Sequence, residues 1–336
     1  MKLILFNTNM AINTVLSQIS TKEEYIIFTD LENIETFFNF IQFNNIQLFK
    51  IKNTYGWKNL ISLYQSKSWI KSFFKKYKIE EIIYYHQAYG DFFNWIITYA
   101  NKQNIKITYN RVLKDISYPR LHSIWGYYVW IKYKFLFNTE VIIQNRGNQV
   151  IFPKLSQSFF KKNKIQEQSF TIDYQALKKI SEKLYRQLNL NITSNSVLLL
   201  TGSVIASKQV DINEYTNKTK LLIEKIGKNH IICKCHPRFS DEIREEKELP
   251  HIPNFIPMEL LLDFFPTYIG YNSTILAQAD KLNKTSISLI DFYTPINKER
   301  KDQWYNYFNN TNIKYIKNIQ ELSKYLNIKK SNKQHI

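Results

Sequence analysis

Long hydrophobic runs, cysteines and acidic residues are all scarce in this 336-residue chain, and each shortage excludes something. No uninterrupted apolar segment approaches the ~18–20 residues that a membrane span requires, so any meeting with a membrane is peripheral. The opening Met-Lys-Leu-Ile-Leu-Phe-Asn-Thr-Asn is too briefly apolar for a secretory core and lacks a small-residue cleavage site; it reads as a first buried strand. Only two cysteines occur, Cys233 and Cys235, at alternate positions of one apparent strand. A disulfide between them is geometrically poor and four-ligand zinc spacing is absent, so the expectation is a reduced, cytoplasmic chain with no metal site. Acids number 28 against 46 lysines and arginines, a formal charge of +18, which favours polyanionic surroundings: nucleic acid, anionic lipid or a phosphorylated acceptor. The abundance of Ile, Asn, Lys, Tyr and Phe is that of an AT-rich coding sequence, which removes part of that charge from the functional argument.

What is present is globular. Apolar residues make up 44% and aromatics 15%, enough to fill real cores. Single cores stop growing at ~250–300 residues, so two domains are expected. Leu3–Phe6, Tyr25–Phe28, Ile46–Ile51, Ile82–Tyr85 and Ile105–Tyr109 read as short strands with amphipathic segments between them. After an irregular stretch around Pro153–Gln168 the logic resumes: a helical stripe at Leu177, Ile180 and Leu184, a strand at Val197–Leu200, a second stripe at Leu222, Ile223 and Ile226, and a strand at Ile231–Cys235. This alternation predicts the α/β class, with two Rossmann-like domains facing a cleft. The expected boundaries are 1–155, 170–315, and a C-terminal helix and tail over 316–336. No internal repeat of 20–50 residues is visible.

Ligands of such sheets sit outside the carboxyl ends of the strands. Thr201-Gly202-Ser203, His236 and Asn272-Ser273-Thr274 each follow a predicted strand there. A histidine beside Lys234 and Arg238 can meet the charge developing on a departing phosphate, by a proton or by a fixed dipole, and Pro237 fixes the backbone after it. Gly270-Tyr271-Asn272-Ser273-Thr274 reads as strand, turn and capped helix start, whose N–H groups and hydroxyls suit phosphate oxygens. Glu259, after Pro257 and Met258, can accept from ribose hydroxyls or simply serve a first helical turn. Together these are the parts that hold a sugar nucleotide.

In this order, His236-Pro237, Pro257-Met258-Glu259 and Ser273-Thr274 resemble the motifs of bacterial sialyltransferases of the twin-Rossmann (GT-B) type. The resemblance is nearest to glycosyltransferase family 52, the lipooligosaccharide sialyltransferases, and more distant to the polysialyltransferases and family 80. It covers roughly residues 197–290; the N-terminal half agrees in strand order alone. It implies an N-terminal acceptor domain and a C-terminal CMP-sugar domain. It also implies an inverting transfer from a CMP-activated nonulosonic acid to a surface oligosaccharide or lipid-linked glycan, with no cofactor and no metal. The lack of any Asp-x-Asp agrees with metal independence. The implied donor contacts are Gly202, Ser203, Lys234, Pro237, Arg238, Pro257, Met258, Glu259, Tyr271, Asn272, Ser273 and Thr274, with His236 assisting departure of CMP. The base falls on Asp211, where family 52 carries its acid, or on Glu214; either also fits the first turn of a helix. The paired-acid motif of the related families is absent, and Asp115 stands in reserve near its expected location.

His86, Tyr89 and Asp91 follow a strand of the first half and Asn9 follows the first strand, so each is an acceptor contact or a loop residue. Ile124–Phe137 is aromatic and basic, which fits a core helix with snorkelling lysines or an anionic membrane surface. Further partner expectations are attachment at the inner face of the inner membrane and a homodimer, with no nucleic acid. Rival readings are transfer from CMP-Kdo, legionaminic or pseudaminic acid donors, a teichoic-acid-type polyol-phosphate transferase, and a basic nucleic-acid-binding protein. The last finds no helix-turn-helix, finger or RNP-type motif in its support.

Overall fold

Strands form where the sequence is apolar on both faces of the pleat, the requirement of a parallel sheet covered by helices on each side. In a computed structural model the chain is described over residues 1–6, 11–19, 22–51, 60–85, 91–110, 122–137, 141–145, 151–155, 157–168, 173–201, 204–236 and 242–326. It divides into two units, Met1–Leu177 and Lys178–Ile336.

The first unit contains strands β1 (Lys2–Leu5), β2 (Tyr25–Thr29), β3 (Ile46–Lys50), β4 (Glu81–Tyr84), β5 (Lys106–Asn110), β6 (Val141–Asn145), β7 (Ile151–Leu155) and β8 (Gln166–Gln168). Its helices are α1 (Ile12–Gln18), α2 (Glu32–Ile41), α3 (Leu60–Lys76), α4 (Asp91–Lys102), α5 (Ile124–Phe137) and α6 (Gln157–Lys162). Six strands form one parallel sheet in the order β3-β2-β1-β4-β5-β8, and β6 pairs antiparallel with β7. Aromatic rings fill this core: around fully buried Phe28 lie Phe73 at 4.9 Å, Phe49 at 5.4 Å and Trp69 at 5.7 Å between centroids.

Helix α7 (Tyr174–Leu188) leads into the second unit, which runs β9 (Val197–Thr201), α8 (Ile212–Ile226), β10 (Ile231–Cys235), α9 (Arg244–Lys247), β11 (His251–Ile252), β12 (Thr267–Gly270), α10 (Thr274–Lys281), β13 (Thr285–Ser288), α11 (Lys298–Phe308) and β14 (Lys314–Tyr315). Its parallel sheet has the order β11-β10-β9-β12-β13-β14. Counted within its own sheet, each unit therefore reads third, second, first, fourth, fifth, sixth, the Rossmann order. Helix α8 lays Tyr215, Thr219, Leu222, Ile223 and Ile226 against the sheet and stops at Gly227, whose φ of 91° strains any L side chain.

The expected α/β class with two Rossmann-like units is what is observed. The division lies at Leu177/Lys178 rather than near 155–170, because β8 adds its backbone to the edge of β5. The polar Gln-Glu-Gln of that strand carries no apolar signal, since an edge strand with all three residues exposed needs none. The stretch around Pro153 is less irregular than expected: Pro153 sits in β7, tolerated in a two-stranded ribbon. Within the expected C-terminal helix and tail, Glu321–Lys324 form a 3-10 turn and Ile316, Leu322 and Leu326 are buried in the second core; 327–336 lie outside the described residues.

Helix α5 is not a core helix. Tyr133 is buried and accepts from Asn94 Nδ2 at 3.2 Å, yet Ile124 is 92% and Phe135 87% exposed, and Trp125, Tyr127, Trp130 and Ile131 are exposed with them. A helix that is apolar all round gives periodicity nothing to read, so its buried side is set by packing alone. Among the described residues, no helix is long and apolar enough to cross a membrane.

Candidate functional site

In the second sheet the chain order reverses at β9, which has β10 on one side and β12 on the other. Crevices outside the carboxyl ends of the strands at such a reversal are where open α/β sheets take ligands. The three ends are level: Cys235 pairs with Thr201, and Gly270 with Leu200. The row continues one residue further, His236 N donating to the Thr201 carbonyl at 3.0 Å. His236 is half-buried at that edge. Two strand spacings, about 10 Å, separate its backbone from that of Tyr271, a span suited to a nucleotide phosphate and its sugar.

Gly270 makes the close approach of β12 to β9 possible. A Cβ there would stand 3.0 Å from Leu200 Cβ, so Gly270→Val is expected to lower stability by about 1–3 kcal/mol. Urea denaturation checks this, and an unchanged midpoint would contradict the packing.

Beyond Gly270 the chain turns through the predicted motif. Tyr271 is buried, and its hydroxyl is pushed up to about 12 by burial and then by the charge of Glu214. Its carbonyl accepts from Ser288 Oγ at 2.9 Å. Asn272 Nδ2 donates to Gln209 Oε1 at 2.6 Å, tying the turn to the segment that follows β9. Ser273 caps α10, its Oγ accepting from Ile275 N at 3.3 Å, while Thr274 is exposed. The Ser-Thr pair thus performs the structural task of a helix cap and still presents hydroxyl groups at the strand ends.

Lys234 points elsewhere. It is 5% exposed, and its ammonium donates to the carbonyls of Asn254 at 3.0 Å, Pro253 at 3.1 Å and Cys235 at 3.4 Å. Its role in the structure is to anchor the 253–254 backbone. Pro257 precedes the 3-10 turn Met258–Leu260, in which Met258 and Leu260 are buried and Glu259 is half-buried. Burial lowers Lys234 to about 8 and raises the Glu259 carboxyl, although each charge favours the other. Both shifts run toward the neutral form, so desolvation outweighs their attraction.

Asp211 and Glu214 stand in the first turn of α8. Asp211 is the exposed N-cap, Oδ1 accepting from Asn213 N at 2.9 Å and Glu214 N at 3.1 Å. Glu214 Oε1 is engaged by Lys218 Nζ at 2.7 Å, Thr294 N at 2.9 Å and Thr294 Oγ1 at 3.0 Å. Burial would raise its pKa, but the bonds from Lys218 and Thr294 outweigh that and hold it below the ordinary value. Gly202, Ser203, Pro237, Arg238, Asp115, His86, Tyr89 and Asn9 lie outside the described residues, and of Asp91 the structure gives the backbone at the start of α4.

Reasoning from sequence missed the residues that shape the segment after β9. Gln209 is buried, donates to Ser207 Oγ at 2.6 Å and, through its carbonyl, accepts from Ile296 N at 2.9 Å. Arg300 Nη1 reaches the Ser207 carbonyl at 3.2 Å from α11. No motif links positions some ninety residues apart, and Gln209, set in Ser-Lys-Gln-Val-Asp, carries no local signal of burial.

No protein-family model matches the chain, and no curated protein matches it. Among solved structures it is similar to the UDP-GlcNAc 2-epimerase of Methanocaldococcus jannaschii, with 16% identity, 99% of this chain and 94% of that one covered, and a TM-score of 0.47. The UDP-GlcNAc 2-epimerase of Neisseria meningitidis, solved with UDP-GlcNAc, gives 13% identity over 96% and 90% of the two chains and a TM-score of 0.42. The glycotransferase of kitacinnamycin gives 6% identity over 96% and 89%, with a TM-score of 0.48. Likeness at this level assigns neither a substrate nor a reaction.

Proposed function

We propose that the chain is a glycosyltransferase of GT-B type that moves sialic acid or a related nonulosonic acid from its CMP-activated donor to a surface glycan, with inversion and without a divalent ion at the donor phosphate. The observation that carries this reading is the placing of His236 and the Tyr271–Thr274 turn at the level carboxyl ends of β10 and β12, the two strands that flank β9 at the reversal. CMP occupies that edge. The bond from the anomeric carbon to the phosphate oxygen breaks as the acceptor oxygen bonds to the opposite face of the carbon. His236 gives a proton or hydrogen bond to the departing phosphate, and a carboxylate takes the acceptor proton. Asp211 suits that second task better than Glu214, whose carboxylate is already committed to Lys218 and Thr294.

Thermal unfolding with CMP, with UDP and with a DNA or RNA oligomer tests the reading, followed by product analysis with CMP-sialic acid and a panel of galactosides. At CMP about 100-fold above its Kd the expected gain is about 2.7 kcal/mol. A response to UDP and none to CMP overturns the CMP donor. Oligomer binding with a steep salt slope and no nucleotide response overturns the enzyme.

Attachment to an anionic membrane through α5 completes the reading, since the exposed Trp125, Tyr127, Trp130, Ile131 and Phe135 share one helix with Lys132 and Lys134. Co-sedimentation is expected with phosphatidylglycerol vesicles and not with phosphatidylcholine alone, and Trp125→Ser with Phe135→Ser is expected to weaken it about tenfold or more. Equal binding to both vesicles would remove the electrostatic part of the argument.

A further inference from the structure

The second unit brings together three side chains of the stretch from β10 to β11: Cys235 at the end of β10, Glu242 seven residues beyond it, and His251, which opens β11 nine residues further on. One ligand atom from each, the cysteine sulfur, a carboxylate oxygen and a ring nitrogen, lies within 4.8 Å of the others. His251 Nδ1 stands 2.6 Å from the Leu249 carbonyl, which can only accept, so the proton of the neutral ring sits on Nδ1. That leaves the Nε2 lone pair aimed at Glu242 Oε1, 2.8 Å away. The same oxygen receives the Cys235 thiol. A ring lone pair and a carboxylate therefore face one another, and they need a cation or an extra proton between them.

We propose that Cys235, Glu242 and His251 bind a divalent transition metal, with Zn²⁺ the best match to this mixed sulfur, nitrogen and oxygen set. The surroundings are those of a ligand site. The Nδ1 bond to a backbone carbonyl orients the ring as in metal-bound histidines. Thr201 Oγ1 lies 3.6 Å from Cys235 Sγ as an outer partner. Cys235 is 3% exposed, and the Glu242 and His251 side chains are 10% and 28% exposed, so the site is sheltered yet open to a water as fourth ligand. Ligand atoms of a tetrahedral zinc stand about 3.5 Å apart, so entry of the ion widens the His251–Glu242 contact modestly. Cys235 gives up its thiol proton on binding, while His251 keeps the Nδ1 proton that bonds the Leu249 carbonyl. The ion staples the end of β10 to β11 next to His236, and the site stands whether or not the chain is a transferase.

Tag-free protein, stripped of metal and titrated with Co²⁺, tests this by absorption. Expected are tetrahedral d–d bands and a near-ultraviolet thiolate-to-cobalt band, with Zn²⁺ displacing the cobalt and raising Tm. Cys235→Ser abolishes the thiolate band, His251→Gln weakens cobalt binding by at least about tenfold, and Cys233→Ala, which alters the other thiol of the chain, leaves the band in place. A band that survives Cys235→Ser, or that is lost in Cys233→Ala while the protein remains folded, overturns the assignment. Wild-type protein that shows no band and a Tm indifferent to Zn²⁺ also overturns it, leaving a protonated imidazole–carboxylate pair. Should Cys235→Ser fail to fold, His251→Gln and Glu242→Gln on the more open side of the cluster carry the same test.

Discussion

Replacing His236 with alanine is expected to lower the transfer rate by ~10²–10⁴ while changing CMP affinity little, the signature of a group that acts in the transition state. One tie at this position survives the substitution: the bond from His236 N to the Thr201 carbonyl, which any residue except proline retains. Loss of rate can then be ascribed to the imidazole rather than to a displaced strand end. His236→Gln, which keeps a donor but cannot titrate, is expected to recover part of the rate and to lose the alkaline limb of the pH profile. Steady-state rates with CMP-sialic acid across pH check both variants. Activity indifferent to the alanine substitution removes the histidine from the mechanism.

Glu259→Gln is expected to act in opposite directions on stability and on nucleotide binding. Burial raises the native pKa of this carboxyl above its ordinary 4.5, against its own backbone N–H and the Lys234 charge, which favour ionisation. A group raised in the folded state contributes stability that is fully present below the unfolded pKa and is lost as pH rises through the folded value. At neutral pH the wild-type chain therefore bears the cost, and the glutamine variant is expected to melt higher there and equally near pH 4. Lys234, whose pKa the Glu259 charge props up, is expected to titrate below about 8 in the variant. If Glu259 accepts from the donor ribose, the loss of a charged acceptor costs about 1.5–3 kcal/mol, or ~10–150-fold in CMP affinity. Scanning calorimetry at two pH values and CMP titration separate the two effects. A variant that is less stable at neutral pH contradicts the burial argument, and one that binds CMP unchanged frees Glu259 from the ribose.

The strands of both Rossmann units were legible because each is a short apolar run between amphipathic helices, and such runs have few other places to go. Tyr25–Phe28, Val197–Leu200 and Ile231–Cys235 were recognisable within a residue of their observed ends. By contrast β8, β11 and β14 are only two or three residues long and lie on sheet edges, where pairing with a neighbour rather than apolar character makes them strands. At the site, the strand-end positions of His236 and Ser273 were readable from local pattern. The inward turn of Lys234 was not, because its partners are the carbonyls of Pro253 and Asn254, some twenty residues away.

The amino-acid order alone determined the α/β alternation, the two units and the polar residues at the ends of β9, β10 and β12, since all of these follow from periodicities a few residues long. Folding in three dimensions decided the reversal of strand order at β9, the engagement of Glu214 by Thr294 and the meeting of Cys235, Glu242 and His251. Those depend on which strand lies beside which, and sheet order is settled by packing the whole core rather than by any single stretch of chain.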